Sequence, residues 1–211
     1  KAPKKERPVD PADVQEWFDA AKDEKRSIAE RLKFIDRLNT KAPHSPQANE
    51  AIAIKKVLIA EQAEIATRGD WVYHTSLDPM TSKPRLTVTI LSDNTLTFDF
   101  PYQGVQRGQL MLRRHPKWGN DVIISIERGQ ILCHSYGDCD VSVRFDDDPI
   151  INYQGTEPSD NSSEYVFLPA FSKFHTRLKT AKRVRVQFNV YQQGMVFLDF
   201  NVKGYEPLRL D

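Results

Sequence analysis

Two cysteines are the residues of this chain whose type and spacing most directly predict chemistry. Cys133 and Cys139 are the only cysteines among 211 residues, and the turn-like stretch HSYGD separates them. If the runs on either side pair as a hairpin, the two side chains lie opposite each other within disulfide distance. The alternative is a pair of reduced, buried thiols.

The apolar pattern after the second cysteine favours the disulfide. Cys139 shares its strand parity with Val141, Val143 and Phe145, so these side chains are predicted on one apolar face. A bridge on that face would be shielded from solvent and would fix the shape of the turn. Because structural disulfides persist in oxidising compartments, we expect an exported protein of the periplasm or outer envelope.

Aspartates crowd the same region of the sequence, at Asp138, Asp140, Asp146, Asp147 and Asp148. They favour an acidic surface that docks a basic partner. The alternatives are a calcium site and a rim of carboxylates that pair with neighbouring basic side chains. The spacing lacks the repeated acidic ligands and the glycine of an EF-hand loop, so no metal and no other cofactor is predicted.

The evidence for catalysis is weak. His134 lies next to Cys133, but adjacent strand residues point to opposite faces, and a disulfide would remove the nucleophilic thiol. No phosphate-binding glycine loop and no GxSxG motif occurs. We therefore predict that the chain is not an enzyme. The alternative is a hydrolase of cell-wall material, with two of the clustered aspartates as acid and base.

Two aromatic residues lie in turn-like segments, Trp118 in HPKWGN and Tyr136 in HSYGD. Exposed aromatic side chains on loops commonly anchor protein partners, although these two could equally fold back over a hydrophobic edge. We predict that they contribute to a partner-binding surface together with the aspartates.

A basic run covers residues 173–185, and it contains six Lys or Arg side chains and no acid. Nucleic-acid binding would require aromatic side chains interleaved among the exposed cations, whereas Phe171 and Phe174 fall on the opposite, apolar stripe. The net charge of the whole chain is only +1. We therefore predict a solvated face, with contact to a protein or an anionic glycan as the alternative, and no nucleic-acid partner.

The hydrophobic period changes near Trp71. Before this residue the pattern is helical, with helix starts at Asp10-Pro11 and Ser45-Pro46 and a glycine stop at Gly69. A capping-box pattern at Ser27 predicts a break in the first helical segment. The short connector between the segments predicts an antiparallel hairpin.

After Trp71 apolar residues alternate in seven or more runs, and one helical stripe from Phe171 to Ala181 interrupts them. The sequence therefore predicts an α+β fold, in which a helical hairpin precedes a mostly antiparallel β-sandwich or partly closed barrel with one inserted helix. The predicted division is a flexible leader over 1–9, the hairpin over 10–69 and the β-sandwich-like domain over 70–211. Because the chain begins at Lys1 with a polar, proline-rich segment, we expect that a signal segment or membrane tether was removed or that the chain was trimmed.

The order of landmarks over residues 71–205 resembles the periplasmic TagO/VasI-type accessory proteins of type VI secretion. The landmarks are Trp71, Ser76 to Thr81 (SLDPMT), Leu112-Arg113, Val143 to Asp146 (VRFD), the helix from Phe171 to Ala181, and the strand from Met195 to Phe200. The chain departs from that family at Arg114, where the family has cysteine. The resemblance implies a non-enzymatic, β-rich envelope protein, and it allows a relative with another role, such as an immunity protein.

These observations predict a bacterial envelope protein that binds another protein without catalysis. Two versions remain open, an immunity or inhibitor protein that neutralises a secreted toxic effector and an accessory subunit of a secretion machine. An inhibitor of a basic effector would use the aspartates, with Trp118 and Tyr136 as anchors.

Overall fold

The computed structural model describes residues 9–133 and 139–207, with the backbone alone at 66–68. Most of the predicted leader and the segment from His134 to Asp138 lie outside the described residues. The chain divides into two compact units, Lys1–Glu64 and Ile65–Asp211.

The first unit is helical, with helices α1 (Pro11–Lys22), α2 (Ile28–Lys41) and α3 (Pro46–Arg68), the last of which continues into the second unit. The Asp10 carboxylate accepts a hydrogen bond from the backbone N–H of Ala12 at 2.9 Å and caps α1. Ser27 and Glu30 form the predicted capping box at the start of α2. The first predicted helical segment is therefore two helices, broken where the capping residues indicated.

The helical core is contributed by all three helices. It consists of Val14, Trp17, Phe18, Ala21, Ile35, Leu38, Ala48, Ala51 and Leu58. Helix α3 leaves Ile52 and Val57 exposed, at 60% and 64% of their surface. It ends at Gly69, whose φ of +74° is the left-handed conformation of a helix stop that glycine adopts without strain.

The second unit contains eleven strands and one helix in its described part, and every pairing between its strands is antiparallel. The elements are β1 (Val72–Leu77), β2 (Pro84–Leu91), β3 (Leu96–Phe98), β4 (Gly104–Gln106), β5 (Gln109–His115), β6 (Gly119–Ser125), β7 (Asp140–Phe145), β8 (Ile151–Gln154), β9 (Tyr165–Leu168), α4 (Phe171–Leu178), β10 (Arg183–Val190) and β11 (Gly194–Asn201).

The strands form two main sheets and a short two-stranded ribbon, β3-β4. The five-stranded sheet has the order β1-β2-β5-β6-β9, and the four-stranded sheet has the order β11-β10-β7-β8. Alternate side chains of both sheets are buried in one apolar cluster, as in a sandwich, where the inner faces of two sheets share a core. A bridge between Thr156 and Phe167 links the sheets along one edge without closing a barrel in the described residues. The α+β fold with an inserted helix is confirmed.

The disulfide between Cys133 and Cys139 is present, with the two Cα atoms 4.2 Å apart, but the hairpin expected around it is wrong. Ile131 bridges Val190 on β10, whereas β7 pairs with β8 and with the first half of β10. Both flanking runs therefore pair with β10 rather than with each other. The disulfide joins these two runs, which both lie beside β10.

The disulfide lies in the core, as the parity of Cys139 predicted. Cys133 and Cys139 are only 6% and 5% exposed. The backbone of Gly155 packs directly against the bridge, since a Cβ atom there would lie 2.8 Å from the Sγ of Cys139 and 2.5 Å from a methyl group of Val166. Only glycine allows this close approach of β8 to the bridge. An oxidising, exported compartment accounts for a structural bridge of this kind.

Candidate protein-binding site

The outer edge of β8 carries main-chain groups that no other strand of the described chain satisfies. Gly155 donates its N–H to the carbonyl of Cys139 at 2.8 Å, so these two residues form a hydrogen-bonded pair of the antiparallel ladder. Because such pairs alternate with non-hydrogen-bonded pairs, every second residue of β8 directs its main-chain groups to β7. The main-chain groups of Ile151 and Tyr153 therefore point to β7. Those of Asn152 and Gln154 point away from the sheet, and β8 is the last strand in its order.

Helix α4 lies beside this edge because its apolar side chains are buried in the sandwich. Phe174 and Leu178 are 0% and 1% exposed, and the ring of Phe174 lies 5.1 Å from that of Phe145 and 6.3 Å from that of Tyr153, centroid to centroid. Ala170, with φ of +62°, turns the chain from β9 into the helix. The helix is thus positioned by packing rather than by a side-chain cap.

A groove of about 790 Å³ separates β8 from α4. Its walls are Ile151, Asn152, Tyr153 and Gln154 of β8, Pro169 and Ala170 of the connection, and Ser172, Lys173, Thr176 and Arg177 of α4. The volume is within the range of pockets that bind ligands in proteins. We call it the β8–α4 groove.

The helical wall of the β8–α4 groove is basic. Lys173 is exposed, and among the described residues no carboxylate lies within ion-pair distance of its ammonium group. Arg177 pairs with Asp148, its Nη1 lying 3.2 Å from an Oδ atom. Burial raises the pKa of Tyr153 at the base of the groove above its ordinary value, against the opposing charge of Arg177. The groove therefore presents one unpaired cation next to a free strand edge.

The consecutive aspartates after β7 are largely engaged within the molecule. Asp146 accepts hydrogen bonds from the backbone N–H groups of Lys182 and Arg183 at 3.0 and 2.9 Å. Asp147 lies 3.3 Å from the guanidinium of Arg144, and Asp148 pairs with Arg177. Each of these three carboxylates thus has a partner within the molecule, and its use by a protein partner stays a prediction.

The other predicted aspartates are not gathered at this turn. Asp140 begins β7 and accepts a hydrogen bond from the side chain of Gln154. At ~3.3 Å per residue it lies about 20 Å along the strand from Asp146. Asp138 and Tyr136 lie outside the described residues. The described residues contain no group of three or more His, Cys, Asp or Glu side chains that could hold a metal ion.

Trp118 lies at the turn between β5 and β6, where it is both exposed and supported. Its ring stacks on the buried His115 with centroids 4.0 Å apart, yet 60% of its surface is exposed. His115 accepts the backbone N–H of Lys117 at 3.1 Å through Nδ1, which fixes the turn. One face of the ring therefore packs on His115, and the guanidinium of Arg113 lies 5.4 Å from the ring centroid, while partner binding by Trp118 stays a prediction.

A smaller depression of about 230 Å³ lies on the outer face of the four-stranded sheet. Arg144 and Arg185 are directly opposite each other there, and Asp199 lies 2.7 Å from Arg185. Burial alone would raise the pKa of Asp199, but its hydrogen bonds and ion pairs with Arg185 and Arg183 hold that pKa below its usual range. The charges of this depression are therefore largely compensated internally.

Substituting Asp146 separates a structural role from a partner-binding role. We expect Asp146→Ala to lower the free energy of unfolding by about 1–2 kcal/mol, because two backbone donors lose their acceptor and a left-handed conformation is forced on alanine. Asp146→Asn should stay within about 0.5 kcal/mol of wild type, since asparagine tolerates φ of +46° and its amide oxygen still accepts. Urea denaturation measures both, and equal stability of the two variants would contradict the backbone role.

Sequence reasoning missed the β8–α4 groove. Residues 151–154 form a strand of four residues, in which the buried Tyr153 lies between the exposed Asn152 and Gln154. That alternation was the available signal, but it is too short to distinguish from a loop by period alone. The basic residues of α4 were recognised, although not the edge that they face.

Comparisons with known proteins place the chain in no family. No family model matches it, and no curated protein matches it, so the resemblance to type VI accessory proteins gains no support from either comparison. Among solved structures, the invasion associated protein B of Bartonella henselae is similar with a TM-score of 0.39 at 11% sequence identity. That likeness covers 64% of this chain and 85% of the other.

Proposed function

We propose that this chain is a non-enzymatic protein-binding module of an exported, oxidising compartment, the bacterial envelope. The observation that carries the proposal is the β8–α4 groove, in which a free strand edge and an unpaired cation face the same space. Strand edges of this kind bind extended segments of other proteins through main-chain hydrogen bonds. Trp118 supplies a second, aromatic contact point on the same unit.

The pairing of the clustered aspartates supports binding over catalysis in the described residues. The clustered aspartates accept backbone N–H groups or pair with arginines, which leaves no evident acid and base pair of carboxylates. Of the helices in the described part of the chain, none offers an apolar stretch that could span a bilayer. The buried disulfide supports the exported location.

Two versions of the proposal remain, and they differ in the partner. An immunity or inhibitor protein would cover the active site of a secreted toxic enzyme. An accessory protein would hold a subunit of a secretion machine. Since the aspartates after β7 are paired, the partner surface that this edge favours is not the strongly basic one that the sequence alone predicted.

Capture from the envelope fraction of the source cells, with the immobilised full chain and mass spectrometry, tests the proposal. The comparison chain is Asn152→Pro, which removes an outward main-chain donor without breaking the β7–β8 ladder. We expect one stoichiometric partner that is retained by the wild-type chain and depleted by the variant.

The identity and behaviour of the partner decide between the versions. A captured enzyme that loses activity when the chain is added would establish the inhibitor role, and captured secretion subunits would establish the accessory role. An empty capture, combined with cell-wall hydrolysis by the chain that Asp147→Asn/Asp148→Asn abolishes, would overturn the proposal in favour of the hydrolase.

A further inference from the structure

We propose that the β8–α4 groove takes an extended acidic segment of a partner protein, which adds to the four-stranded sheet as a fifth strand beside β8. The inference rests on the proposed function and names the chemistry of the partner at the same site. Its first element is the free edge of β8, where the N–H and C=O groups of Asn152 and Gln154 point away from β7.

The geometry of the groove suits an added strand rather than a compact ligand. The space runs the full length of β8, since all four residues of the strand line it. Helix α4 forms the opposite wall and leaves about 790 Å³ between the two elements. A segment in this space would complete the main-chain hydrogen bonds of the edge and would be covered on one face by the helix.

The charges of the groove select an acidic segment. Every other side chain of an added strand would face α4, where Lys173 and Arg177 project from successive turns of the helix. Lys173 has no ion-pair partner among the described residues, and Arg177 is bound to a single exposed carboxylate, that of Asp148. Glutamate or aspartate at alternate positions would pair with Lys173 and compete for Arg177.

The chain's own termini fit the groove poorly. Residues 1–8 (KAPKKERP) carry four basic side chains and one acid, and both prolines lack the N–H that a strand must donate. Residues 208–211 (LRLD) carry one acid and one base. A second copy of the chain would have to place its own basic α4 near the first, because the same edge would be used on both copies. A separate acidic partner is therefore the favoured occupant.

Three labelled hexapeptides probe the proposal with the full chain. The first repeats Thr-Glu, the second repeats Thr-Lys with the opposite charge, and the third repeats Pro-Glu, which keeps the charge but removes half of the main-chain donors. Fluorescence anisotropy measures their affinities. We expect the Thr-Glu peptide to bind at least about tenfold more tightly than either of the others, since charge and main-chain bonds are both required.

Amide hydrogen exchange followed by NMR locates the bound peptide. The N–H groups of Asn152 and Gln154 should exchange rapidly in the free protein and slowly with the Thr-Glu peptide bound. The N–H groups of Ile151 and Tyr153, already bonded to β7, should be protected in both states.

Two variants and a control assign the contacts. Lys173→Glu should weaken binding of the Thr-Glu peptide about tenfold and improve that of Thr-Lys, because the charge at the helical wall is reversed. Asn152→Pro should weaken binding of the Thr-Glu peptide about fivefold or more through the lost donor. Lys203→Glu makes the same charge change at an exposed residue outside the groove and should leave the affinity unchanged.

Three outcomes would overturn the inference. They are equal binding of the Thr-Glu and Thr-Lys peptides, binding that leaves the Asn152 and Gln154 amides unprotected, and a dimer whose free form already protects both amides. A partner that is captured equally by the wild-type and Asn152→Pro chains would refute this inference while the proposal of a protein-binding function stands.

Discussion

Replacing Phe174 by alanine is expected to lower the free energy of unfolding of the second unit by about 3–5 kcal/mol. Phe174 is fully buried, and its ring contacts Phe145 on β7 and lies against Tyr153 on β8. Its removal leaves a cavity under α4 that the neighbouring rigid strands fill only in part. This is the largest effect that we expect from a single truncation in this part of the core.

Thr176→Ala is the matched control on the same helix. Thr176 is exposed, and its hydroxyl donates only to the backbone carbonyl of Ser172 within α4, so the change should stay within about 0.5 kcal/mol. Urea or thermal denaturation of the full chain measures both variants. Near-equal stability of Phe174→Ala and Thr176→Ala would mean that α4 does not pack as described, and the helical wall of the β8–α4 groove would lose its basis.

Removing the disulfide is expected to have the second largest effect. For the short loop closed by Cys133 and Cys139, the chain-entropy model gives about 2 kcal/mol of stabilisation, and Cys133→Ala/Cys139→Ala should lose it. For a chain of this size the melting temperature should fall by about 4–8 °C. Unlike an exposed bridge, this one should also resist reductant in the native protein, because both cysteines are buried.

Differential scanning calorimetry with and without dithiothreitol, combined with maleimide labelling, checks these expectations. Wild-type protein should label only after unfolding in the presence of reductant, and the double alanine variant should show the same melting temperature in both conditions. If the melting temperature of the variant matched that of the oxidised wild type, the bridge would contribute nothing to stability, and the close approach of Gly155 would need another reason.

The local features of this fold were readable from the sequence because they depend on residues that are close together in the chain. The change of period at Trp71, the capping box at Ser27 and the left-handed stop at Gly69 each involve a few neighbouring side chains and backbone groups. The burial of Cys139 followed from its parity with Val141 for the same reason. Patterns of this length carry enough information to predict an α+β fold.

The candidate binding surfaces could be found only from the tertiary structure, because they combine residues that are distant in sequence. From the sequence, Asp146 was interpreted as a surface carboxylate. In the structure it accepts hydrogen bonds from the backbone N–H groups of Lys182 and Arg183, which are about forty residues later in the chain. The runs on either side of the disulfide looked like the two arms of a hairpin, since only the pairings of β10 show that both runs lie beside that strand.

By itself the sequence determined the helical and strand-forming halves, the caps and the buried cysteine pair, since each is encoded in short-range periodicity and backbone preference. The tertiary structure alone decided that β8 is an edge and that the basic face of α4 lies beside it. Those two facts follow from the strand order and from the burial of Phe174, which only the closure of the whole sandwich establishes.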